Sequence, residues 1–251
     1  MNITFVGCGN VATVLARLCI EKGHNIQQII ARNKIAGSEF AQKFACTLVN
    51  FNEKPDKETD LVIVALSDNS LPEAISNLNF NSVPVMHTAG SCNMDVLQNM
   101  SNNFGVLYPL QTLQKEMEAV PEIPFLIEGN NDETLQFIQT FAFTLSNNVT
   151  IQNTEQRLRL HASAVIVNNF TNYLFSVAEK FCSDEKVDFK LLLPLIKQTS
   201  ARVQNHSPLS VQTGPAVRGD ITTLDKHLRL LTDYPKLRTL YMRLTDGIMN
   251  D

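Results

Sequence analysis

The residues best suited to chemistry stand close to the amino end, where the apolar run Ile3-Thr4-Phe5-Val6 breaks into Gly7-Cys8-Gly9-Asn10-Val11-Ala12. This is a strand entering a G-x-G-x-x-A turn, a spacing that suits a pyrophosphate. Gly7 lets the chain turn sharply, Gly9 offers no side chain to hold an anion away from the backbone, and Ala12 lets the following helix pack close. From Val11 to Lys22 the apolar residues Val11, Leu15, Leu18 and Cys19 recur at helical spacing, with Gly23 behind them. The free N–H groups at the start of that helix would point at bound negative charge. Gly7, Cys8, Gly9, Asn10 and Val11 are therefore the expected cradle of a dinucleotide.

The end of the second strand bears on which dinucleotide. An NAD site commonly has an acid there for the ribose hydroxyls, whereas this chain has Ala31-Arg32-Asn33-Lys34. The fork of Arg32 matches a 2′-phosphate and Lys34 adds a second positive charge, which favours NADP over a solvated arginine beside a helix cap at Asn33. Leu66-Ser67-Asp68 ends the fourth strand, at the sheet edge where cofactors lie, and Ser67 and Asp68 can cap the next helix as well. The fifth strand ends in His87-Thr88-Ala89-Gly90-Ser91. A histidine there either lines a nicotinamide and moves a proton or is a satisfied core residue. Gln111 and Thr112, after Tyr108-Pro109-Leu110, are polar groups at the same edge and candidates for substrate contact.

Farther along, His161 stands early in a long helical stretch, with Asn168 and Asn169 two turns on. At about 100° per residue, seven residues bring Asn168 to within about 20° of the face of His161. Amides in an apolar helix need partners, supplied by a ligand or by a second helix across a dimer. In Thr213-Gly214-Pro215-Ala216-Val217-Arg218-Gly219-Asp220 the Gly-Pro pair fixes a turn and Asp220 caps the next helix. Arg218 is aimed at a substrate carboxylate or at a buried acid.

These residues sit on alternating elements. Strands are expected at Ile3–Val6, Ile26–Ala31, Thr47–Val49, Leu61–Leu66, Pro84–His87, Gly105–Tyr108, Phe125–Ile127 and Val149–Gln152, with helices at 11–22, 38–44 and 133–145. Continuous β-branched runs such as Leu61–Leu66 mark strands buried on both faces. The pattern reads as an α/β fold, a Rossmann-like doubly wound sheet with a late meander, followed by an all-α C-terminal domain. Helices are expected there at 155–181, 189–204 with Pro194 as a kink or late start, 220–231 and 235–249. The division falls at residues 1–152 and 153–251.

Composition limits the function classes. The 251 residues carry a formal charge of −4 without Lys/Arg runs, so a nucleic-acid surface is not expected, and no apolar stretch is long enough to span a bilayer. Met1-Asn2 lacks the basic start of a signal peptide. The cysteines at 8, 19, 46, 92 and 182 are odd in number and without C-x-x-C spacing, which argues against disulfides or a metal site and for a cytoplasmic protein.

Taken together, these motifs resemble a bacterial family labelled as NADP oxidoreductases. The resemblance is carried by Gly7-x-Gly9-x-x-Ala12, Ala65-Leu66-Ser67-Asp68, His87-Thr88-Ala89-Gly90-Ser91, Pro109-Leu110-Gln111-Thr112, His161 with Asn169, and Thr213-Gly214-Pro215-Ala216-x-Arg218-Gly219-Asp220. More distantly the layout is similar to pyrroline-5-carboxylate reductase, the β-hydroxyacid dehydrogenases and the deazaflavin-dependent NADP reductases. That resemblance implies a helical domain that forms a homodimer and an active site between cofactor and helices. The β-hydroxyacid enzymes use a lysine where this chain has His161. The resulting expectation is an NADP(H)-dependent oxidoreductase of a small carbonyl or imine compound. His161 would donate the proton, Asn169 or Asn168 orient the substrate, His87 and Ser91 line the nicotinamide side, and Arg218 hold an anionic group. The competing expectation is an NADP-binding sensor or scaffold without turnover.

Overall fold

The computed structural model describes residues 1–51, 58–71 and 78–250. Eight strands form one sheet: β1 (Asn2–Val6), β2 (Asn25–Ile30), β3 (Thr47–Val49), β4 (Leu61–Val64), β5 (Val85–His87), β6 (Phe104–Pro109), β7 (Phe125–Gly129) and β8 (Val149–Ile151). Their order is β3-β2-β1-β4-β5-β6-β7-β8. The pairs from β3 through β6 are parallel, so each needs a crossover, as in a doubly wound fold. Helices α1 (Asn10–Glu21) and α2 (Lys34–Phe44) are among these connections, and α3 (Asp132–Leu145) joins β7 to β8. The expected meander is only half present. β7 runs antiparallel to β6, but β8 is parallel to β7 because α3 intervenes and carries the chain back. Most of the helix expected after Asp68 falls in residues 72–77, outside the described residues.

Alternation along the buried strands supplies two cores, one on each side of the sheet. Ile3, Phe5, Ile29, Ile63 and Met86 pack with Leu15 and Cys19 of α1 and Ile138 and Phe141 of α3. Val6, Ile30, Val62, Val64 and Val85 pack on the other side with Leu71, Phe80, Leu97 and Met100. Asparagines set the helix starts: Asn33 accepts from the N–H groups of Ile35 and Ala36, and Asn131 from that of Thr134.

The chain divides into two compact units, Met1–Val167 and Asn168–Asp251, later than the end of the strands, so the first helical turns after β8 belong with the sheet. Those turns are α4 (Thr154–Ala164), opened by a reciprocal capping box between Asn153 and Gln156. Where one uninterrupted helix is expected, Val165–Phe170 adopts π-helical hydrogen bonding before α5 (Thr171–Asp184) begins. The α-helical angle count that places His161 and Asn168 on one face does not carry through such a segment. The second unit continues with α6 (Leu193–Arg202), α7 (Ile221–Leu230) and α8 (Pro235–Asn250). Pro194 lies in the first turn of α6, making it a start and not a kink, and Asp220 caps α7 by accepting from Thr223.

Candidate functional site

The glycine turn lies where the sheet order reverses direction: the chain goes from β1 outward to β2 and β3, then returns past β1 to β4. Ligands of open α/β sheets lie beyond the carboxyl ends of the strands at this point. Gly7 has φ +98°, and a Cβ there would stand 2.5 Å from the Ala65 carbonyl oxygen and 2.7 Å from Leu66 Cδ2. Its two reasons for being glycine are backbone conformation and the closeness of β4. Gly9 is different. It is exposed, occupies the N-cap of α1 at φ −79°, and has nothing within 4 Å of where a Cβ would be. An open notch above helix-start N–H groups, with no acidic side chain in the first turn of α1, suits a phosphate. Ala12 is fully buried, as close helix packing requires. Cys8 is half-buried, and burial pushes its thiol up, so the group is neutral beside the notch.

Arg32 is exposed just past β2, its guanidinium carbon 5.5 Å from the centre of the Phe51 ring, and Lys34 is exposed in the first turn of α2. Asn33 is the cap of that helix, with its side-chain oxygen committed to the backbone. At the ends of β4 and β5, Asp68 accepts from both the backbone N–H of Ser91, at 2.9 Å, and the Ser91 hydroxyl. Asp68 thus ties two sheet-edge loops together. The Ser67 and Ser70 hydroxyls are 2.6 Å apart. His87 is fully buried, its Nδ1 accepting the Ala89 N–H at 3.1 Å. Burial, assisted by the charge of Arg157, lowers its pKa to about 4, so the ring is neutral and supports the loop. The ring is not the fully satisfied core residue of one sequence reading, because its Nε2 is buried with no hydrogen-bond partner among the described residues, and it has no exposed surface to offer a ligand directly.

The arrangement around His161 brings together residues far apart in sequence. Tyr108 Oη, at the end of β6, is 2.7 Å from His161 Nδ1, and the rings meet edge-on with centroids 5.8 Å apart. Both sit over Gly90, where a Cβ would come within 2.6 Å of His161 Nδ1 and 3.0 Å of Tyr108 Cε2. One helical turn before His161 stands Arg157, fully buried. Its Nη1 donates to Glu128 Oε2 and its Nη2 to the Cys92 carbonyl, each at 2.5 Å, with Thr154 Oγ1 at 3.3 Å from Nη2. Glu128 also accepts from the N–H and hydroxyl of Thr154. A strand end and a sheet-edge loop thereby hold α4 at its first turns and fix where His161 projects.

Gln111 is exposed and spends its amide within its own loop, accepting from the Thr112 N–H and donating to the Glu122 carbonyl. Asn168, Asn169 and Arg218 are exposed residues of the second unit. Sequence spacing did not single out Tyr108, Gly90, Glu128 or Arg157. The available signal was a lone arginine early in a helix and a lone glutamate ending an apolar strand, residues that spacing alone places at the surface.

The fold defines a class, Rossmann-like α/β proteins with a helical carboxyl-terminal part. Residues 123–248 match the family described as a domain of unknown function (DUF2520), and the chain belongs to that family. Residues 2–87 match the family described as NADP oxidoreductase coenzyme F420-dependent. Among solved structures, the protein named "putative NADP oxidoreductase BF3122" from Bacteroides fragilis is 35% identical, with a TM-score of 0.89 over 100% of this chain and 98% of that one. The reductive aminase of Aspergillus terreus shares the fold at 13% identity, TM-score 0.71, over 98% and 94% of the two chains. A 1-pyrroline-5-carboxylate reductase from Streptococcus pyogenes does so at 14%, TM-score 0.64, over 100% and 99%. No curated protein matches this chain in sequence.

Proposed function

We propose that this protein is an NADP(H)-dependent oxidoreductase acting on a small carbonyl or imine compound. The observation that carries the reading is the place of Gly9, exposed with nothing within 4 Å of a Cβ, at the start of a helix at the sheet's switch point. Gly7, Cys8, Gly9, Asn10 and Val11 would hold the pyrophosphate, and Leu66 to Asp68 and Ser91 would border the nicotinamide half. Arg32, with Lys34, would meet the 2′-phosphate, its guanidinium already oriented against Phe51. When bound, the cofactor supplies or accepts hydride at the substrate carbon. His161 supplies the proton. Names of relatives support the same reading: the 35% identical protein is named a "putative NADP oxidoreductase", and the Aspergillus reductive aminase was solved with NADPH. Asn168, Asn169 and Arg218 are proposed as substrate contacts and Gln111 as a further one at the sheet edge. The second unit is proposed as the dimer interface. Five free thiols agree with a reducing cytoplasm, and no described helix is long and apolar enough to cross a membrane.

The test is a fluorescence titration with NADPH and NADH, followed by a screen of carbonyl and imine acids for cofactor oxidation. Gly9→Ala meets nothing within 4 Å and keeps an ordinary φ, so it should fold, with a loss of about 1 kcal/mol or less for alanine in place of glycine at the N-cap, yet place a methyl group in the notch. NADPH binding should weaken by about 10-fold or more, as expected when a close phosphate contact worth roughly 1.5 kcal/mol or more is lost. Arg32→Ala should reduce the preference for NADPH over NADH. Failure of the wild type to bind either nucleotide would overturn the reading.

A further inference from the structure

The hydroxyl of Tyr108 and the imidazole of His161 form a closed pair. Tyr108 Oη has His161 Nδ1 at 2.7 Å, and His161 Nε2 makes no hydrogen bond among the described residues. The backbone of Gly90 lies against both rings, leaving no room for even a methyl group between. The helix carrying His161 is anchored one turn earlier by Arg157, on the Glu128 carboxylate and the Cys92 carbonyl. The pairing is therefore built by three separate parts of the chain: the end of β6, the loop after β5 and α4.

We propose that Tyr108 is a positioning residue that acts through His161, donating its hydroxyl hydrogen to Nδ1 so that the neutral imidazole carries its own hydrogen on Nε2, and replacing that hydrogen when Nε2 gives it away. A phenol is a good donor and a neutral imidazole nitrogen a good acceptor, so O–H to Nδ1 is the favourable direction. Burial pushes the Tyr108 hydroxyl up, with the charge of Asp68 adding to it, so the group stays protonated and available as a donor. The inference rests on the reductase reading in its last step only. There, as hydride reaches the carbonyl carbon, the C=O π pair becomes a lone pair on oxygen and takes the Nε2 proton. The Tyr108 proton moves to Nδ1, leaving a phenolate. Water then protonates Nε2 while Nδ1 returns its proton to the phenolate, so one solvent proton is consumed per turnover. An alkoxide is a much stronger base than a phenolate, which drives the transfer forward even with the phenol pushed up.

The resting half of this scheme is testable without substrate or cofactor. Protein labelled with 15N at histidine, observed by NMR at alkaline pH well above the ordinary histidine range, should show the Nε2–H tautomer for His161, identified by the signal lost in His161→Gln. In Tyr108→Phe the same signals should move toward a mixture of tautomers. Wild type showing the Nδ1–H tautomer, or an unchanged pattern in Tyr108→Phe, would overturn the proposal. The wild-type measurement stands even if the variant fails to fold. In turnover, Tyr108→Phe should lower kcat on the order of 100-fold while leaving NADPH affinity unchanged, and a kcat within about twofold of wild type would overturn the relay. If wild-type protein binds no NADPH, the reductase reading fails by itself and the tautomer result still decides the pairing.

Discussion

His87 ends an apolar strand with its ring fully buried, and an imidazole in such a place is stable only when neutral. Burial, with the nearby charge of Arg157, lowers its folded-state pKa from 6.5 to about 4. In the unfolded chain the ring takes a proton as pH falls through about 6.5; in the folded chain it does so only near 4. Between those values the unfolded state holds the extra proton, so acid favours unfolding. The neutral ring's contribution is complete above about 6.5, declines below it and is lost by about 4, a change on the order of 3 kcal/mol. Urea midpoints from pH 7 to pH 4 should fall for the wild type, and His87→Gln should flatten that slope even if it is less stable throughout. Equal slopes in both proteins would assign the acid sensitivity elsewhere. The same residue shows the limit of spacing as a guide. Its position at a sheet edge left chemistry and a core role both open, and only the fold reveals that its ring lies buried with Nε2 unpartnered among the described residues.

At the scale of elements, the decisive joint is between β7 and α4. Arg157 and Glu128 are 29 positions apart and form an ion pair with side chains 0% and 15% exposed. A charge removed from water in this way depends on its partner, and deleting one member leaves the other uncompensated, at a cost of about 3–5 kcal/mol. Glu128→Gln keeps the shape and removes the charge, and Thr154 loses a strong acceptor. Stability should drop by about 3 kcal/mol, measured by denaturant unfolding, and a loss under about 1 kcal/mol would show that neutral acceptors, the glutamine Oε1 with the Cys92 carbonyl and Thr154 Oγ1, satisfy the guanidinium without a carboxylate. Little of this was legible beforehand. Strands such as Leu61–Val64 announce themselves because burial on both faces demands unbroken apolar runs, and Asn33 and Asp220 announce helix starts because capping is local. The joint, and the Tyr108–His161 pair 53 positions apart, depend on distant segments meeting, which no local pattern encodes. The π segment at Val165–Phe170 is equally silent, since its residues are those of an ordinary apolar helix.

At the scale of the whole molecule the two units differ in how they hold together. The sheet unit has two continuous cores, whereas the buried apolar side chains of the Asn168–Asp251 unit are Cys182, Ala216, Leu224 and Leu231. Large apolar groups of that unit face outward: Phe170 is 57% exposed, Tyr173 61%, Leu191 74%, Leu195 63% and Leu209 73%. Large apolar side chains exposed in this number are a common mark of a surface that another surface covers. A second copy of the chain suits this, because a two-fold interface needs one self-complementary patch and helices with apolar faces provide it. Light scattering should therefore give a mass twice that of one chain. Replacing Phe170 and Tyr173 together with Asp puts charge on the exposed side of the long helical stretch while removing nothing from the buried cores. That variant should shift toward monomer at micromolar concentration, with its unfolding less dependent on protein concentration than that of the wild type. A wild-type monomer across that range would overturn the dimer, and the outward face of the helical unit would then need a different partner to account for it.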